Sequence, residues 1–189
     1  MDASGNITGG DVYRAHVHNK AKLTYNAVGM WLEKHSDVPD GVAAVPGLAE
    51  NLKLQDRTAD AMRALRQANG ALDLETIEAR AVFRGGEVVD LRQEARNNAR
   101  NLIEDFMIAA NGVTARFLSS QRVPSLRRVV RSPERWDRIE AIAAELGERL
   151  PPDPDSRALE QFLVRRRKAD PLRFPDLSLS IVKAMGPGE

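Results

Sequence analysis

The most regular hydrophobic periodicity in this chain lies near its middle and indicates a single long helix. Apolar residues recur there with a 4-3-4-3-4 spacing, at Ala99, Ile103, Phe106, Ala110, Val113 and Phe117. Because an α-helix has about 3.6 residues per turn, residues at this spacing share one face. The pattern predicts a helix from about Gln93 to Ser120 whose apolar stripe faces a core.

Two acidic residues and an amide interrupt this helix, namely Glu104, Asp105 and Asn111. Their neighbours are apolar on nearly every side of the helix, so we expect Glu104 to point into protein or into a cleft. An ionised carboxylate in such surroundings must either form an ion pair or bind a ligand. An ion pair with Arg100, one turn earlier, or with Arg116 is the structural alternative to a ligand-binding role.

Local signals elsewhere predict shorter elements around the long helix. Thr24 is a capping residue for a helix from about Leu23 to Lys34, and the glycines at 85 and 86 favour a hairpin turn. The other predicted elements are strands at 11–19, 79–83, 87–91 and 123–130, and helices at 48–69, after Ser132, at 156–168 and at 176–185. Ser156 is expected to begin the helix at 156–168, with Leu159, Phe162 and Leu163 on its inward face. The pattern predicts an α+β fold that is predominantly helical, with a long central helix, short strands and a hairpin.

Composition excludes several classes of protein. With 189 residues, 42% hydrophobic and 29% charged, the chain has the usage of a globular domain with a moderate core. It has no cysteine, which excludes a disulfide framework and cysteine-ligated zinc. No apolar run approaches the roughly 20 residues of a membrane helix, so we expect no membrane partner. A net charge of +1 does not by itself suggest a nucleic-acid partner.

Two motifs, in order and at matching spacing, identify a family. K-L-T-Y-N-A-V (Lys22–Val28) is followed by a helical stretch and a hairpin, then by L-I-E-D-F-M-I-A-A-N (Leu102–Asn111) and A-R-F-L (Ala115–Leu118). Over nearly the whole chain this arrangement resembles the catalytic RNB domain of the ribonuclease II/ribonuclease R exoribonucleases. The resemblance implies a partial RNB-domain fold and a cytoplasmic enzyme that hydrolyses single-stranded RNA from its 3′ end with magnesium.

Two further motifs of that family are missing from the chain. No Asp-rich cluster of the D-x(5)-D-x-D-D type, which holds the metal in the family, occurs here, and neither does the downstream H-x-T-S-P-I-R-R-Y motif. We therefore expect residues 1–189 to be one incomplete, central segment of an RNB catalytic domain. It would contain no catalytic residue and no metal ligand, and the Mg²⁺ ligands would lie in the remainder of the exoribonuclease chain, its partner.

The resemblance assigns ligand contacts to three residues of the two motifs. Glu104 matches the glutamate that lies close to the ribose of the bound nucleotide, where a carboxylate can accept a hydrogen bond from the 2′-hydroxyl that distinguishes RNA from DNA. Asp105 is the alternative if the register is shifted by one. Tyr25 matches the tyrosine that positions the terminal nucleotides; without the family, a core role with a wet hydroxyl would be the default.

Three further residues are weaker candidates for contacts with RNA. Asn111 matches the motif's amide, and a helix–helix hydrogen bond is an equal alternative. Lys20 and Lys22 alternate along the predicted strand, so that both face one side and could meet phosphates, although a solvated edge is equally consistent.

Other chemistry is not favoured by the sequence. His16 and His18 lack a third ligand, and the prolines around Asp153 and Asp155 indicate a connector rather than a metal site. Where the family commonly has an aromatic ring for base stacking, the chain has Leu74.

Two alternatives remain open at this level. A noncatalytic helical interaction module that keeps the scaffold is the rival to a nuclease segment. Apolar faces of the long helix could also support self-association.

Overall fold

A computed structural model describes residues 1–75, 79–93, 96–127 and 132–186. The elements in these residues are helices α1 (Tyr25–Leu32), α2 (Asp40–Ala43), α3 (Leu48–Ala68), α4 (Asn98–Ser120), α5 (Trp136–Glu145), α6 (Ser156–Ala169) and α7 (Phe174–Met185), and strands β1 (Ala79–Arg84) and β2 (Glu87–Gln93). The predicted α+β, predominantly helical class is confirmed.

The chain divides into two compact units. Unit 1 comprises Met1–Leu65 and Ala95–Ser125, and unit 2 comprises Arg66–Glu94 and Leu126–Glu189. None of the described helices is long and apolar enough to cross a membrane.

In unit 1, α1 packs directly against the start of α4. Thr24 caps α1 as predicted, because its hydroxyl accepts a hydrogen bond from the Ala27 amide at 3.4 Å. Gly29 allows the close approach, since a Cβ at this position would lie 2.6 Å from Cγ of Asn97. The buried core of the unit includes Val28 and Ala99 from these two helices.

Helix α4 begins later than the hydrophobic pattern indicated. Asn97 is its N-cap, with a side-chain oxygen 3.0 Å from the Arg100 amide, and the Glu33 carboxylate accepts a second hydrogen bond from the Asn98 amide at 2.8 Å. The predicted start at Gln93 is wrong because β2 extends to that residue.

The predicted apolar stripe of α4 faces the core only in part. Ala99 is buried as predicted and Phe106, Val113 and Phe117 are half-buried, whereas Ile103 and Ala110 are exposed. Leu102 and Asp105, which lie outside the predicted stripe, are also buried. A helix that is apolar on most sides offers several competing stripes, and the periodicity alone did not indicate which of them packs.

In unit 2, the predicted hairpin is confirmed. Strands β1 and β2 pair antiparallel, with a bulge between Val82 and Phe83. Gly85 and Gly86 form the turn with φ angles of 60° and 90°, which glycine adopts without a steric penalty.

Three helices form the core of unit 2. Its buried members are Trp136, Ile139, Ala143, Leu159, Phe162, Leu163, Phe174, Ile181 and Ala184. The predicted inward positions of α6, Leu159, Phe162 and Leu163, are therefore confirmed. Helix α6 is capped by Asp155, whose carboxylate accepts hydrogen bonds from the Arg157 and Ala158 amides at 2.8 and 3.1 Å, and not by Ser156.

The segment that precedes β1 is held to α6 and α7 by polar contacts. Glu160, which is buried, accepts a hydrogen bond from the Asp73 amide at 3.0 Å, and Ser178 Oγ accepts one from the Glu75 amide at 3.2 Å. Burial raises the pKa of the Glu160 carboxyl above its ordinary value. Leu74, between these contacts, packs partly buried against the core of unit 2, which makes it a packing residue in this structure.

Two predicted strands are absent from the described residues. Residues 11–19 form no strand and lie exposed, so Lys20 and Lys22 do not stand on a paired strand. Residues 123–127 are also irregular, and the rest of the predicted strand at 123–130 lies outside the described residues.

Candidate nucleic-acid interface

Tyr25, the first residue of α1, presents an accessible ring. It is 47% exposed, and the Arg100 guanidinium carbon lies 5.3 Å from the centroid of its ring. Contacts of this kind between a cation and an aromatic face hold the two side chains together. Tyr25 is therefore not a core residue, which was the default expectation for a lone tyrosine on an amphipathic helix.

Glu104 lies on the surface of α4 and not in an apolar interior. Its side chain is 52% exposed and forms an ion pair with Arg96. Glu104 is two positions from the buried Leu102, and residues at that separation point to different sides of a helix. The expectation that Glu104 is buried is therefore wrong, and its partner is neither Arg100 nor Arg116.

Arg96, Arg100 and Glu104 connect the two motif residues. Arg100 and Glu104, four residues apart, share one side of α4, whereas Arg96 precedes the Asn97 cap and reaches Glu104 from outside the helix. Tyr25 contacts Arg100 and Glu104 pairs with Arg96. The K-L-T-Y and L-I-E-D motifs thus meet on one exposed face of unit 1, which we call the motif face: Tyr25, Arg96, Arg100 and Glu104. The spacing of Arg100 and Glu104 was visible in the sequence, whereas Arg96 was not identified because it lies outside the helix.

Asp105 is the carboxylate that the fold buries. It is 2% exposed, and its Oδ2 accepts hydrogen bonds from Arg63 Nε at 3.0 Å and Nη2 at 2.6 Å. Arg63 also pairs with Asp60, one turn earlier on α3, at 3.2 Å. The requirement that a buried charge be paired is met here by a structural ion pair between α3 and α4. Sequence reasoning missed Arg63 because it lies 42 residues away in the chain.

The remaining candidates lie apart from these contacts. Lys20 and Lys22 are exposed, and Lys20 Nζ lies 3.2 Å from His18 Nδ1. Asn111 is exposed on α4. Among the residues that the structure describes, the side-chain amide of Asn111 forms no hydrogen bond, so the helix–helix bond considered for it is not present.

The acidic and histidine side chains of the described ranges form no metal centre. No three of them lie close enough together to hold an ion there. Asp155, considered above with Asp153, uses its carboxylate to cap α6. His16 and His18 are exposed.

Comparison with known proteins places the chain in a family. The RNB domain model matches residues 1–189. Ribonuclease R of Escherichia coli strain K12 is 30% identical over 154 residues, 80% of this chain and 19% of that protein, and exoribonuclease 2 of Cronobacter sakazakii is 33% identical over 107 residues, 56% of this chain and 16% of that protein.

Comparison with solved structures also finds ribonuclease R as a structural neighbour. The apo form of Mycoplasma genitalium ribonuclease R matches the fold with a TM-score of 0.71 at 19% identity, over 87% of this chain and 26% of that one. The same enzyme in complex with ribose-methylated single-stranded RNA gives the same values. The chain spans about a fifth of the length of the Escherichia coli relative, since the match covers 19% of that protein. With a family match over its whole length, the chain belongs to the RNB domain family.

Proposed function

We propose that the protein to which this chain contributes is a 3′-to-5′ exoribonuclease that hydrolyses single-stranded RNA in the cytoplasm. Membership of the RNB family, relatives named ribonuclease R and a structural neighbour solved with single-stranded RNA support this proposal. The main structural support for the proposal is the motif face. The resemblance assigns RNA contacts to Tyr25 and Glu104, and both side chains are accessible on this face.

In this proposal the motif face binds the 3′-terminal nucleotides. Tyr25 offers an exposed ring for packing against a sugar or base. Glu104 accepts a hydrogen bond from a 2′-hydroxyl, once RNA displaces or shares its ion pair with Arg96. Arg96 and Arg100 supply positive charge beside the phosphates. Asp105 is enclosed by Arg63 and supports α4 without touching RNA.

Lys20, Lys22 and Asn111 would make additional contacts with RNA outside the motif face. Lys20 and Lys22 add positive potential on an exposed segment. Asn111 is accessible to a longer strand.

The metal site is proposed to lie outside these residues. Hydrolysis in such nucleases uses carboxylate-bound metal, and the Asp-rich cluster and the Arg-Arg-Tyr motif of the family are not in this sequence. In the complete enzyme, Mg²⁺ held by the remainder of the chain would polarise the scissile phosphate. This segment contributes substrate contacts and scaffold.

The purified 189-residue chain is therefore expected to show no ribonuclease activity in magnesium, because it lacks the metal ligands. The measurement is gel analysis of a 5′-labelled single-stranded RNA oligomer, with Escherichia coli ribonuclease R as the active control. A ladder of products shortened from the 3′ end, produced by this chain alone, would contradict the placement of the metal site.

Ribose recognition by Glu104 is tested by comparing binding of single-stranded RNA and DNA of the same sequence. Glu104→Ala is expected to lower the ratio of RNA to DNA affinity about fivefold, the effect of one net hydrogen bond of about 1 kcal/mol. Fluorescence anisotropy of labelled oligomers measures both affinities. Glu50→Ala, which removes another exposed helical glutamate, is the matched control and should leave the ratio unchanged.

The same titration distinguishes the proposed RNA-binding role from the rival function. If the wild-type chain binds neither RNA nor DNA, the noncatalytic interaction module is favoured. Exposed apolar side chains on α4, Ile103, Met107 and Ile108, are the observation that keeps this alternative, and they are also the surface through which we propose that self-association would occur.

A further inference from the structure

A second basic site lies in unit 1, on a groove that neither family motif reaches. The groove has a volume of ≈ 730 Å³ and is bounded by the end of α1, the segment after it and the middle of α3. Its lining includes Trp31, Lys34, Lys53, Asp56 and Arg57. This volume is within the range of small-molecule sites.

Lys34 stands at a backbone position that favours glycine. Its φ angle is 62°, in the left-handed region. Its amide bonds to the Trp31 carbonyl at 3.0 Å, and the His35 amide bonds to the Met30 carbonyl at 2.7 Å. These are the two hydrogen bonds of a Schellman motif, in which the residue at this position is usually glycine. Lysine is less favourable than glycine at this backbone position, so the side chain can be removed by a glycine substitution without straining the turn.

Two further cations reach the groove from α3. Lys53 and Arg57 are four residues apart and therefore share one face of the helix. Lys53 Nζ lies 5.5 Å from the centroid of the Trp31 ring, a contact that holds the ammonium in place. Among the residues that the structure describes, Lys34, Lys53 and Arg57 form no ion pair.

Two acidic side chains also line the groove. Asp56 is half-buried, and burial, with the nearby charge of Asp60, raises the pKa of its carboxyl above the ordinary value. Asp37 is exposed on the outer segment. Among the side chains that line the groove, three cations against two carboxylates leave an excess of one positive charge, which favours an anionic ligand.

We propose that this groove is a second contact site for single-stranded RNA, in which Lys34, Lys53 and Arg57 bind backbone phosphates. The inference rests on the proposed RNA-binding function and extends it to a surface outside the motif face. Positioned basic side chains bind phosphates irrespective of base sequence. Such contacts would increase the length of single-stranded RNA that the chain binds, without adding a preference for base sequence.

The two tryptophans make the site separately observable. Trp31 lines the groove, whereas Trp136 is buried in the core of unit 2 with its indole NH bonded to the Pro151 carbonyl at 2.9 Å. In ¹H–¹⁵N spectra, titration with a single-stranded RNA oligomer should shift the Trp31 indole peak and leave the Trp136 peak in place. If the oligomer binds by anisotropy and the Trp31 peak does not move, the groove is not a contact site although the proposed function stands. If no RNA binds, both proposals fail.

A glycine substitution separates the role of the Lys34 side chain from that of its backbone. Lys34→Gly removes the charge and relieves the left-handed strain, so the Tm should be unchanged or higher. RNA affinity should fall about fivefold, the effect of one charge pair in water. The slope of log K against log salt should become shallower by about 0.7, as expected for one lost phosphate contact.

Arg122→Gly is the matched control. Arg122 has a φ angle of 54° after α4, and its Schellman bonds are those of the Arg122 amide to Ser119 and of the Val123 amide to Leu118, both at 3.0 Å. It carries the same charge and does not line the groove. RNA affinity should be unchanged in this variant, and equal losses in the two variants would overturn the proposal.

Inorganic phosphate at the same total phosphate concentration tests the source of the anion. It should leave the Trp31 peak unshifted. A Trp31 shift equal to the one that RNA produces would show a site for free anions instead of a strand and would overturn the proposal.

Discussion

Asp105→Ala should lower the free energy of unfolding of unit 1 by about 3 kcal/mol, because removing one member of a buried ion pair leaves the other without its main partner. Asp105 is 2% exposed and accepts two hydrogen bonds from Arg63. Arg63 keeps its contact with Asp60 and is partly exposed, which places the effect at the lower end of the range for broken buried pairs. Urea unfolding followed by the Trp31 indole NMR peak measures it.

The neighbouring carboxylate provides the control. Glu104→Ala removes an exposed ion pair with Arg96 and should change the same free energy by less than about 0.5 kcal/mol. Equal destabilisation by the two substitutions would contradict the conclusion that Asp105 forms a buried structural ion pair and Glu104 an exposed one. Together with the RNA and DNA titration, this comparison separates a stability effect from a binding effect for adjacent residues of one motif.

Local signals were sufficient to predict much of the fold. The Thr24 cap, the glycine turn at 85 and 86 and the inward face of α6 depend on residues close in sequence, and all three are present as predicted. Capping and turn preferences act over a few residues and are therefore readable from one chain. The same reasoning located α4, although its N-terminus was misplaced by the unrecognised Asn97 cap.

The candidate site depended on information that local patterns do not contain. Which of Glu104 and Asp105 is buried is set by the rotation of α4 about its axis, and that rotation is set by packing against α1 and by the Arg63 pair. The partner of Asp105 lies 42 residues away, beyond any periodicity. The family resemblance supplied Tyr25 and Glu104, and the structure adds that the two belong to one accessible face.

The strand expected at 11–19 shows a different limit. Alternation of side chains indicates a strand only when a partner strand is available to complete the hydrogen bonds. Residues 11–19 have no such partner among the described residues and are exposed. Alternation of His16 and His18, like that of Lys20 and Lys22, therefore carries no information about a shared face in this structure.

Phe162→Ala should lower the free energy of unfolding of unit 2 by about 4 kcal/mol. Phe162 is 0% exposed and lies in the cluster formed by α5, α6 and α7. Replacing such a ring by alanine removes its transfer free energy and leaves a cavity, because the surrounding side chains relax only partly. Trp136 belongs to the same cluster, so loss of its indole peak in urea reports the unfolding of this unit.

Phe83→Ala is the matched control, since Phe83 carries the same ring on the hairpin of the same unit and is 64% exposed. Because most of this ring is already in water, the free energy of unfolding should change by less than about 1 kcal/mol. A loss at Phe83 as large as the loss at Phe162 would mean that the exposed ring is packed in solution, for instance by self-association. Because self-association depends on concentration, repeating the unfolding at two protein concentrations distinguishes that cause from a misplaced core.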